Sequence, residues 1–545
     1  MTHIQLVGIS EQKSPDNKVW KLPYAFPIII RQLLKTRHTF EHIDTHLHKL
    51  TYEETCRQIL SRERQVYGIS AWSHNYLQLK DMTARIRGKY PKSVIIVGGI
   101  ISGNDNVVLR TTEADIVCTS PEGEFVLPEV MNCLDGDMEE LREVLGISFM
   151  KNGELVRTGP RKRMNCREFD QQDIPAYEYF DDQLHEISRN LQSRKDLPIK
   201  AFPLLTTRGC PFRCTFCGHM YGRRLLRKSW PKFFDEVEFL VARYGFEGFF
   251  SNDTNMFLNK KDAYAYCEEY QKRGSTFAII AELRLTFGDY AMFKKLNEHG
   301  VKIANFGLES GSSEMLKRMK KGVHLPKMKR IIAETVDAET MFHGNFIFGT
   351  PGENRKTIAD TRAFMLFLER QIIKQKRMFK LQEKMCASGY GWTILLPSPT
   401  SKLYHEAIRE GLISNEEWYL RSLSDEKFME LLKGSTFKIS LAQEAGTLNM
   451  SEFPSRDALF HYIKFSINLV KFLARFLSFR TAFGNPLETG KLGICSVTHY
   501  IRFISTMICD NISGRTGYIP MDKRLREGVS SVLADRSVTK RQYHT

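Results

Sequence analysis

Two stretches of this chain alternate short apolar runs with amphipathic helical patterns, and this alternation restricts their fold to parallel α/β sheets. In the first stretch the predicted strands are 4–9, 40–44, 67–72, 94–99 and 115–119. The predicted helices between them are 26–34, 53–60, 77–90 and 126–134. This pattern over residues 1–145 predicts a doubly wound, Rossmann-like parallel sheet.

The alternation resumes at residue 201, after a connector over residues 146–200. The connector contains an Asn152-Gly153 hairpin signal, with predicted strands at 147–150 and 154–158. The later predicted strands are 202–206, 248–252, 277–283, 303–308, 342–348 and 390–396. These units predict a partial (β/α)6 barrel of the TIM type over residues 201–400, with its site at the carboxyl ends of the strands. Residues 401–545 are predicted to be a helical C-terminal region that ends in a basic tail.

Composition limits the compartment and the partners. The N-terminus has no basic region followed by a long apolar run, so we expect no signal peptide and a reducing, cytoplasmic location. There the eleven cysteines are expected to be free thiols or metal ligands rather than disulfides. The net charge of +16 is spread over several basic clusters without a nucleic-acid-binding motif. It therefore favours a solvated basic surface or a pocket for an anionic ligand over a nucleic-acid site.

Three cysteines follow the first predicted barrel strand in a Cys-x3-Cys-x2-Cys pattern: Cys210, Cys214 and Cys217. Three thiolates this close can bind three corners of a cubane iron–sulfur cluster and leave the fourth iron open. Zinc is the main competitor, but structural zinc needs four ligands, and the fourth would have to be a residue such as His219. The pattern predicts a four-iron, four-sulfur cluster.

This segment, with Phe216 before the third cysteine, resembles the signature of the radical S-adenosylmethionine (SAM) superfamily. In that family the open iron binds SAM, and one electron cleaves it to methionine and a 5′-deoxyadenosyl radical. The resemblance implies that Phe216 lies against the adenine of SAM. It also implies SAM contacts in the strand-end segments that contain Glu282, Arg284, Glu309 and Ser310, and in residues 344–353. A buried salt bridge is the alternative for Glu282 and Arg284. Asn252-Asp253 departs from the paired aspartates often present after the second strand.

A doubly wound domain ahead of such a barrel resembles the cobalamin-dependent branch of the superfamily. The resemblance implies that cobalamin lies along strand ends that contain Ser70, Ser73, Gly98, Gly99 and Glu122. Residues 44–49 do not fit the cobalt-binding Asp-x-His-x-x-Gly motif, because they follow the second strand and end in a lysine. Cobalamin without a histidine ligand is therefore expected.

The resemblance predicts methyl transfer to an unactivated carbon, or to phosphorus, of a small-molecule or peptide biosynthetic intermediate. An external electron donor such as flavodoxin or ferredoxin is expected. The first alternative keeps both cofactors but carries out a cyclisation, an oxidation or another SAM-derived group transfer. A basic RNA-modifying or RNA-binding protein is the alternative of another class.

Two further interpretations concern other parts of the chain. Methylthiotransferases also join an α/β domain to this barrel, but the three N-terminal cysteines, at positions 56, 118 and 133, are not grouped as a second cluster would require.

Residues 459–479 are apolar over much of their helical circumference. A helix that covers the open side of the barrel is favoured over an interfacial membrane helix.

Overall fold

The computed structural model describes residues 1–9, 17–136, 138–218, 221–382, 385–424, 450–453, 459, 462–471 and 473–474. The expected basic tail and His219, the alternative zinc ligand, lie outside the described residues.

The first sheet has seven strands in the order β2-β1-β3-β4-β5-β6-β7. They are β1 (His3–Gly8), β2 (Thr39–Asp44), β3 (Val66–Ser70), β4 (Val94–Gly98), β5 (Ile116–Cys118), β6 (Ile147–Lys151) and β7 (Glu154–Arg157). The helices are α1 (Ala25–Leu33), α2 (Tyr52–Ile59), α3 (Tyr76–Lys89), α4 (Asp105–Thr111) and α5 (Gly123–Asp135). Strands β1 to β5 are parallel. The central strands β3, β4 and β5 are mostly apolar, as expected where helices cover both faces of a sheet. The predicted doubly wound sheet is confirmed.

The hairpin β6–β7 differs from the prediction. The Asn-Gly turn forms, with Asn152 and Gly153 both at positive φ, but β6 pairs antiparallel with β5 instead of standing apart in a connector. The hairpin therefore extends the first sheet and makes it mixed.

The second sheet has six strands, all parallel, in the order β15-β14-β13-β12-β11-β8. The strands of this half, with the small ribbon β9–β10, are β8 (Ala201–Leu204), β9 (Thr207–Arg208), β10 (Leu226–Arg227), β11 (Gly248–Ser251), β12 (Ala278–Leu283), β13 (Val301–Glu309), β14 (Met341–Phe348) and β15 (Gly389–Ile394). Apart from the ribbon β9–β10, which lies between β8 and β11 in sequence, neighbours in the sheet are consecutive strands, and β8 and β15 remain its edges among the described residues. The predicted partial barrel is confirmed.

The remaining helices cover the barrel strands or follow the last of them. They are α6 (Cys166–Asp170), α7 (Asp181–Ser193), α8 (Trp230–Tyr244), α9 (Lys260–Lys272), α10 (Tyr290–Glu298), α11 (Ser313–Arg318), α12 (Leu325–Asp337), α13 (Arg355–Leu381), α14 (Lys402–Arg409) and α15 (Glu416–Leu423). Helices α14 and α15 bury Tyr404, Tyr419 and Leu420 in the apolar cluster of the first sheet. The chain therefore returns from the barrel to the N-terminal sheet.

Residues 462–471 and 473–474 are helical, and their buried side chains share one face: Ile463, Ser466, Ile467, Val470 and Ala474. The guanidinium of Arg355, at the start of α13, lies 5.8 Å from the centre of the Tyr462 ring. This burial supports packing against the protein. No described helix is both long and apolar enough to cross a membrane.

Candidate functional site

A loop that carries all three predicted cluster cysteines leaves the barrel between β9 and β10. These two strands pair antiparallel, Arg208 opposite Leu226, and so hold both ends of the loop together. Gly209 has φ +85°, and a β-carbon there would lie 2.1 Å from the Arg224 carbonyl oxygen, so the turn requires glycine. The Cys210 N–H then donates to the Gly222 carbonyl at 3.2 Å.

Asp253 fixes the entry to this loop. Its carboxylate accepts hydrogen bonds from the backbone N–H groups and the hydroxyls of Thr206 and Thr207, and from the Ser251 hydroxyl, at 2.5–2.8 Å. The departure from a pair of aspartates at Asn252-Asp253 therefore leaves one carboxylate, which organises the backbone ahead of Cys210. Buried hydrogen bonds to a charged acceptor are among the stronger ones.

The thiols suit a cluster in their chemistry and their placement. Cys214 is buried, whereas Cys210 and Cys217 are partly exposed. In the described ranges no three His, Cys, Asp or Glu side chains converge as a single ion requires. A cubane needs less convergence, because each thiolate binds a different iron. The three N-terminal cysteines, Cys56, Cys118 and Cys133, are instead buried in or at the ends of α2, β5 and α5.

Arg284 follows β12 and lies against the cluster loop. Its Nη1 is 3.5 Å from the Cys214 sulfur, and its Cζ is 3.7 Å from the centre of the Phe212 ring. The sequence placed Arg284 at the methionine end of SAM without indicating either contact. The structure thus brings this predicted SAM residue to a predicted cluster ligand.

Glu309 and Lys321 form a buried ion pair at the end of β13. Their carboxylate and ammonium groups are 2.6 Å apart, and each side chain is only 8% exposed. Glu309 has φ +60°, a left-handed conformation, and a β-carbon at Gly307 would lie 2.7 Å from Lys321 Nζ. Lys321 Nζ lies 5.9 Å from the centre of the Phe216 ring. Sequence reasoning missed Lys321, for which Lys320-Lys321-Gly322 after a short helix was the available signal.

Ser310 behaves differently from the other predicted SAM residues. It is 1% exposed, and its hydroxyl lies 3.1 Å from the Thr361 hydroxyl and accepts from the Ser312 N–H at 3.1 Å. These contacts tie the turn after β13 to α13.

Polar side chains line the inner face of the barrel. In the parallel register Glu282 lies opposite Asn305, and Asn305 lies opposite His343. The Asn305 amide donates to the Glu282 carboxylate. Burial raises the pKa of Glu282 to about 7 and lowers the pKa of His343. On β15, opposite His343 and Asn345, stand Gly389 and Gly391, and a β-carbon at Gly391 would lie 3.1 Å from Asn345 Oδ1.

Glu353 ends the segment 344–353 and supports its backbone. The side chain is fully buried, Oε2 accepts from the Gly349 N–H at 2.5 Å, and Oε1 has no partner among the described residues. Burial raises the pKa of Glu353 to about 8.

We expect this carboxyl to make stability pH-dependent. The folded chain retains a proton that the unfolded chain releases near pH 4.5, so stability falls as pH rises from about 4.5 to about 8. Glu353→Gln, which stays neutral, should lose less stability over that range. Urea unfolding of both proteins across the range measures this, and equal pH slopes would contradict the assignment.

The carboxyl edge of the first sheet presents the other predicted residues. Strand order reverses between β1 and β3, where Gly8 is opposite Ser70, and open α/β sheets bind ligands at such a switch point. Gly99 has φ +89°, and a β-carbon there would lie 2.5 Å from the Ala71 carbonyl oxygen. A β-carbon at Gly98 would meet nothing within 4 Å, so this position faces open space.

Ser73 and Glu122 are more enclosed. Ser73 is 8% exposed, and its buried hydroxyl has no partner in the described part of the chain. Glu122 is 1% exposed and accepts from Arg163 Nε at 2.9 Å, on the border of a cavity of about 500 Å³. His46, rejected as a cobalt ligand, accepts the Trp20 N–H at 3.1 Å.

The cysteine loop contacts the edge of the first sheet through the segment after β15. The Thr400 hydroxyl donates to the Gly218 carbonyl, next to Cys217. A β-carbon at Gly103, just beyond Gly99, would lie 2.9 Å from the Thr400 methyl carbon. Arg208, two residues before Cys210, forms a buried ion pair with Glu124 of α5 at 2.5 Å. The cysteine loop and the carboxyl edge of the first sheet therefore lie close together.

Several residues of the basic clusters are paired internally. Their partners are Glu129 for Arg161, Glu122 for Arg163, Asp262 for Arg227, Glu236 for Lys228 and Asp337 for Lys374. These five cations therefore have carboxylate partners within the protein.

Residues 204–365 match the family model described as the Radical SAM superfamily. An "uncharacterized methyltransferase" from Pyrococcus horikoshii is 23% identical over 395 residues, which cover 71% of this chain and 79% of the relative. Other curated relatives match over about half of their length.

Two solved structures share the fold. The radical SAM methyltransferase TsrM from Kitasatospora setae, with cobalamin and a [4Fe-4S] cluster bound, has a TM-score of 0.57 at 16% identity over 75% of each chain. The cobalamin-dependent SAM radical enzyme OxsB, with aqua-cobalamin and SAM bound, has a TM-score of 0.62 at 16% identity, over 93% of this chain and 75% of that chain.

Proposed function

We propose that this radical SAM enzyme transfers a methyl group, by way of cobalamin, to an unactivated carbon or to phosphorus of a biosynthetic intermediate. The observation that carries the proposal is the contact between the cysteine loop and the edge of the first sheet, through Thr400, Gly218 and Gly103. A methyl carrier and a radical source must face one substrate, and the closeness of the loop to this edge supports such an arrangement. The methyltransferase names of the Pyrococcus and Kitasatospora relatives support the same reaction.

Each half of the chain holds one part of the machinery in this proposal. Residues 1–145 bind cobalamin, and residues 201–400 bind the cluster and SAM. When bound, the cluster would supply the electron that generates the 5′-deoxyadenosyl radical, and cobalamin would carry the methyl group. The protein contributes orientation and the exclusion of water.

Cys210, Cys214 and Cys217 would hold the cluster. Phe216 would lie against adenine, and Arg284 offers a guanidinium fork for the SAM carboxylate. Glu309, held by Lys321, would reach the ribose.

Glu282 and Ser310 take narrower roles. Asn305 already donates to Glu282, so this carboxyl has one oxygen left for the SAM amine. Ser310 would act by shaping the turn after β13, because its hydroxyl is bonded within the protein.

Cobalamin would lie over Gly98 and Gly99, where no β-carbon intervenes. Ser70, at the switch point between β1 and β3, would border it, and Ser73 offers a buried hydroxyl without a partner. Glu122 would contribute through its second oxygen, which has no described partner.

The inner wall favours a substrate with hydrogen-bonding groups. Beside Gly389 and Gly391, His343 is partly buried and Asn345 is exposed, so both can offer polar atoms. The substrate is proposed to be a small molecule or a peptide, and the reductant an external flavodoxin or ferredoxin.

We expect two SAM-derived products from the full-length protein. Protein reconstituted anaerobically with iron, sulfide and cobalamin, then given a strong reductant, should form both 5′-deoxyadenosine and S-adenosylhomocysteine. The matched control omits cobalamin and should form only the first product, because the second requires a methyl acceptor. With SAM labelled in its methyl group and the correct substrate, the product should gain one labelled methyl group.

Other outcomes would support the alternatives. Turnover of the substrate with 5′-deoxyadenosine but no label in the product would refute methyl transfer and favour a cyclisation or oxidation. Retention on RNA that falls steeply with salt would favour the RNA-directed class.

A further inference from the structure

Arg284 is a buried cation without a carboxylate partner among the described residues. It is 7% exposed and forms no ion pair with the described Asp or Glu side chains. By contrast, four other largely buried cations of residues 201–400 each form an ion pair with a carboxylate. Their pairs are Arg208–Glu124, Arg227–Asp262, Lys228–Glu236 and Lys321–Glu309.

The position of Arg284 is nevertheless well determined. Its backbone N–H donates to Asn255 Oδ1 at 3.1 Å, and its guanidinium stacks on Phe212. Among the described residues its one polar side-chain contact is from Nη1 to the Cys214 sulfur, at 3.5 Å. Nε and Nη2 are buried without a hydrogen-bond partner in the described part of the chain.

An unpaired buried charge is costly, so a buried guanidinium in this position requires an anion nearby. Three cysteine thiolates make the cluster site anionic, and Arg284 already contacts one of them. A cation and an N–H···S hydrogen bond both favour the more negative, reduced form of a cluster.

We propose that Arg284 is the internal counter-ion of the cluster and, held by Phe212, sets its reduction potential. This inference rests on the proposed function, because it requires the cluster, and it assigns Arg284 a role separate from any contact with SAM. Arg284 acts through Cys214 and is therefore a positioning and tuning residue.

The test compares Arg284→Gln with the wild type, both full-length and reconstituted, by redox titration followed by electron paramagnetic resonance without SAM. We expect the equilibrium constant for one-electron reduction to fall about tenfold, which corresponds to a potential lower by about 59 mV. Arg284→Lys, which keeps the charge but not the stacking, should lie between them. Arg224→Gln is the matched control: Arg224 is on the same loop but exposed, so water and salt screen its charge.

If the variant loses its cluster, thermal unfolding of both proteins provides a second measurement. Without iron, Arg284→Gln should melt at or above the wild-type temperature, because an unpaired buried charge has been removed. Cluster loading should then raise the melting temperature of the wild type more than that of the variant. A purely structural role predicts the reverse, a variant that is less stable without iron.

The outcomes separate this inference from the proposed function. If the wild type takes up no four-iron cluster, the proposed function itself is refuted. If the wild type holds the cluster but Arg284→Gln leaves its reduction potential unchanged, only the role of Arg284 is refuted.

Discussion

The triple variant Cys210→Ala, Cys214→Ala, Cys217→Ala is expected to hold no four-iron cluster and to cleave SAM only at the background rate. The three thiols occupy one loop, with its ends paired by β9 and β10, and no other described cysteines are grouped near it as substitutes. Iron and sulfide analysis of anaerobically reconstituted protein measures the cluster. Chromatography of 5′-deoxyadenosine after addition of dithionite measures the cleavage.

The control is the double variant Cys166→Ala, Cys386→Ala. These cysteines lie outside the loop, one exposed and one partly exposed, so their removal should leave iron content and SAM cleavage unchanged. A triple variant that retained four irons per chain would refute the assignment of the loop.

Gly98→Val is expected to abolish most cobalamin binding while leaving the fold intact. A β-carbon at Gly98 meets no protein atom within 4 Å, and valine is favoured in strands, so the protein itself accommodates the side chain. A corrin ring that lay on this edge would clash with the valine side chain. We expect the dissociation constant to rise about a hundredfold, on the order of 3 kcal/mol, measured by absorbance titration of the full-length protein with cobalamin.

Gly88→Val provides the matched comparison. Gly88 also has no atom within 4 Å of an added β-carbon, but it lies in α3, away from the strand ends. Its variant should bind cobalamin as the wild type does, and both variants should keep the wild-type melting temperature. Unchanged affinity in Gly98→Val would place cobalamin elsewhere.

The sequence allowed the strands of both sheets to be predicted, because each parallel strand is a short apolar run between helical patterns. Val94–Gly98 and Met341–Phe348 are examples in which the observed strand lies within one residue of the prediction. Local patterns also indicated the turn at Asn152-Gly153. They do not indicate which edge a hairpin joins, since the pairing of β6 with β5 depends on contacts across some thirty residues.

The site residues that belong to one short motif could be predicted from the sequence. The contacts between residues from distant segments could not. The cysteines share one loop, so their spacing alone was informative. Lys321 reaches Glu309 because Glu309 adopts a left-handed backbone conformation and Gly307 has no side chain, and neither condition shows in hydrophobic periodicity. The contact between Arg284 and Cys214 joins residues seventy positions apart.

The cysteine loop also imposes an order on biosynthesis. Its backbone is completed by segments made much later: Thr215 donates to Met319 and accepts from Leu403, and Gly218 accepts from Thr400. Translation proceeds at about 5–20 residues per second, so the thiols emerge from the ribosome well before these partners exist. Closing a loop of this length adds little entropy cost once both ends are present. The loop is therefore completed only after residue 403 has been made, and its three thiols must stay reduced until then if they are to bind a cluster.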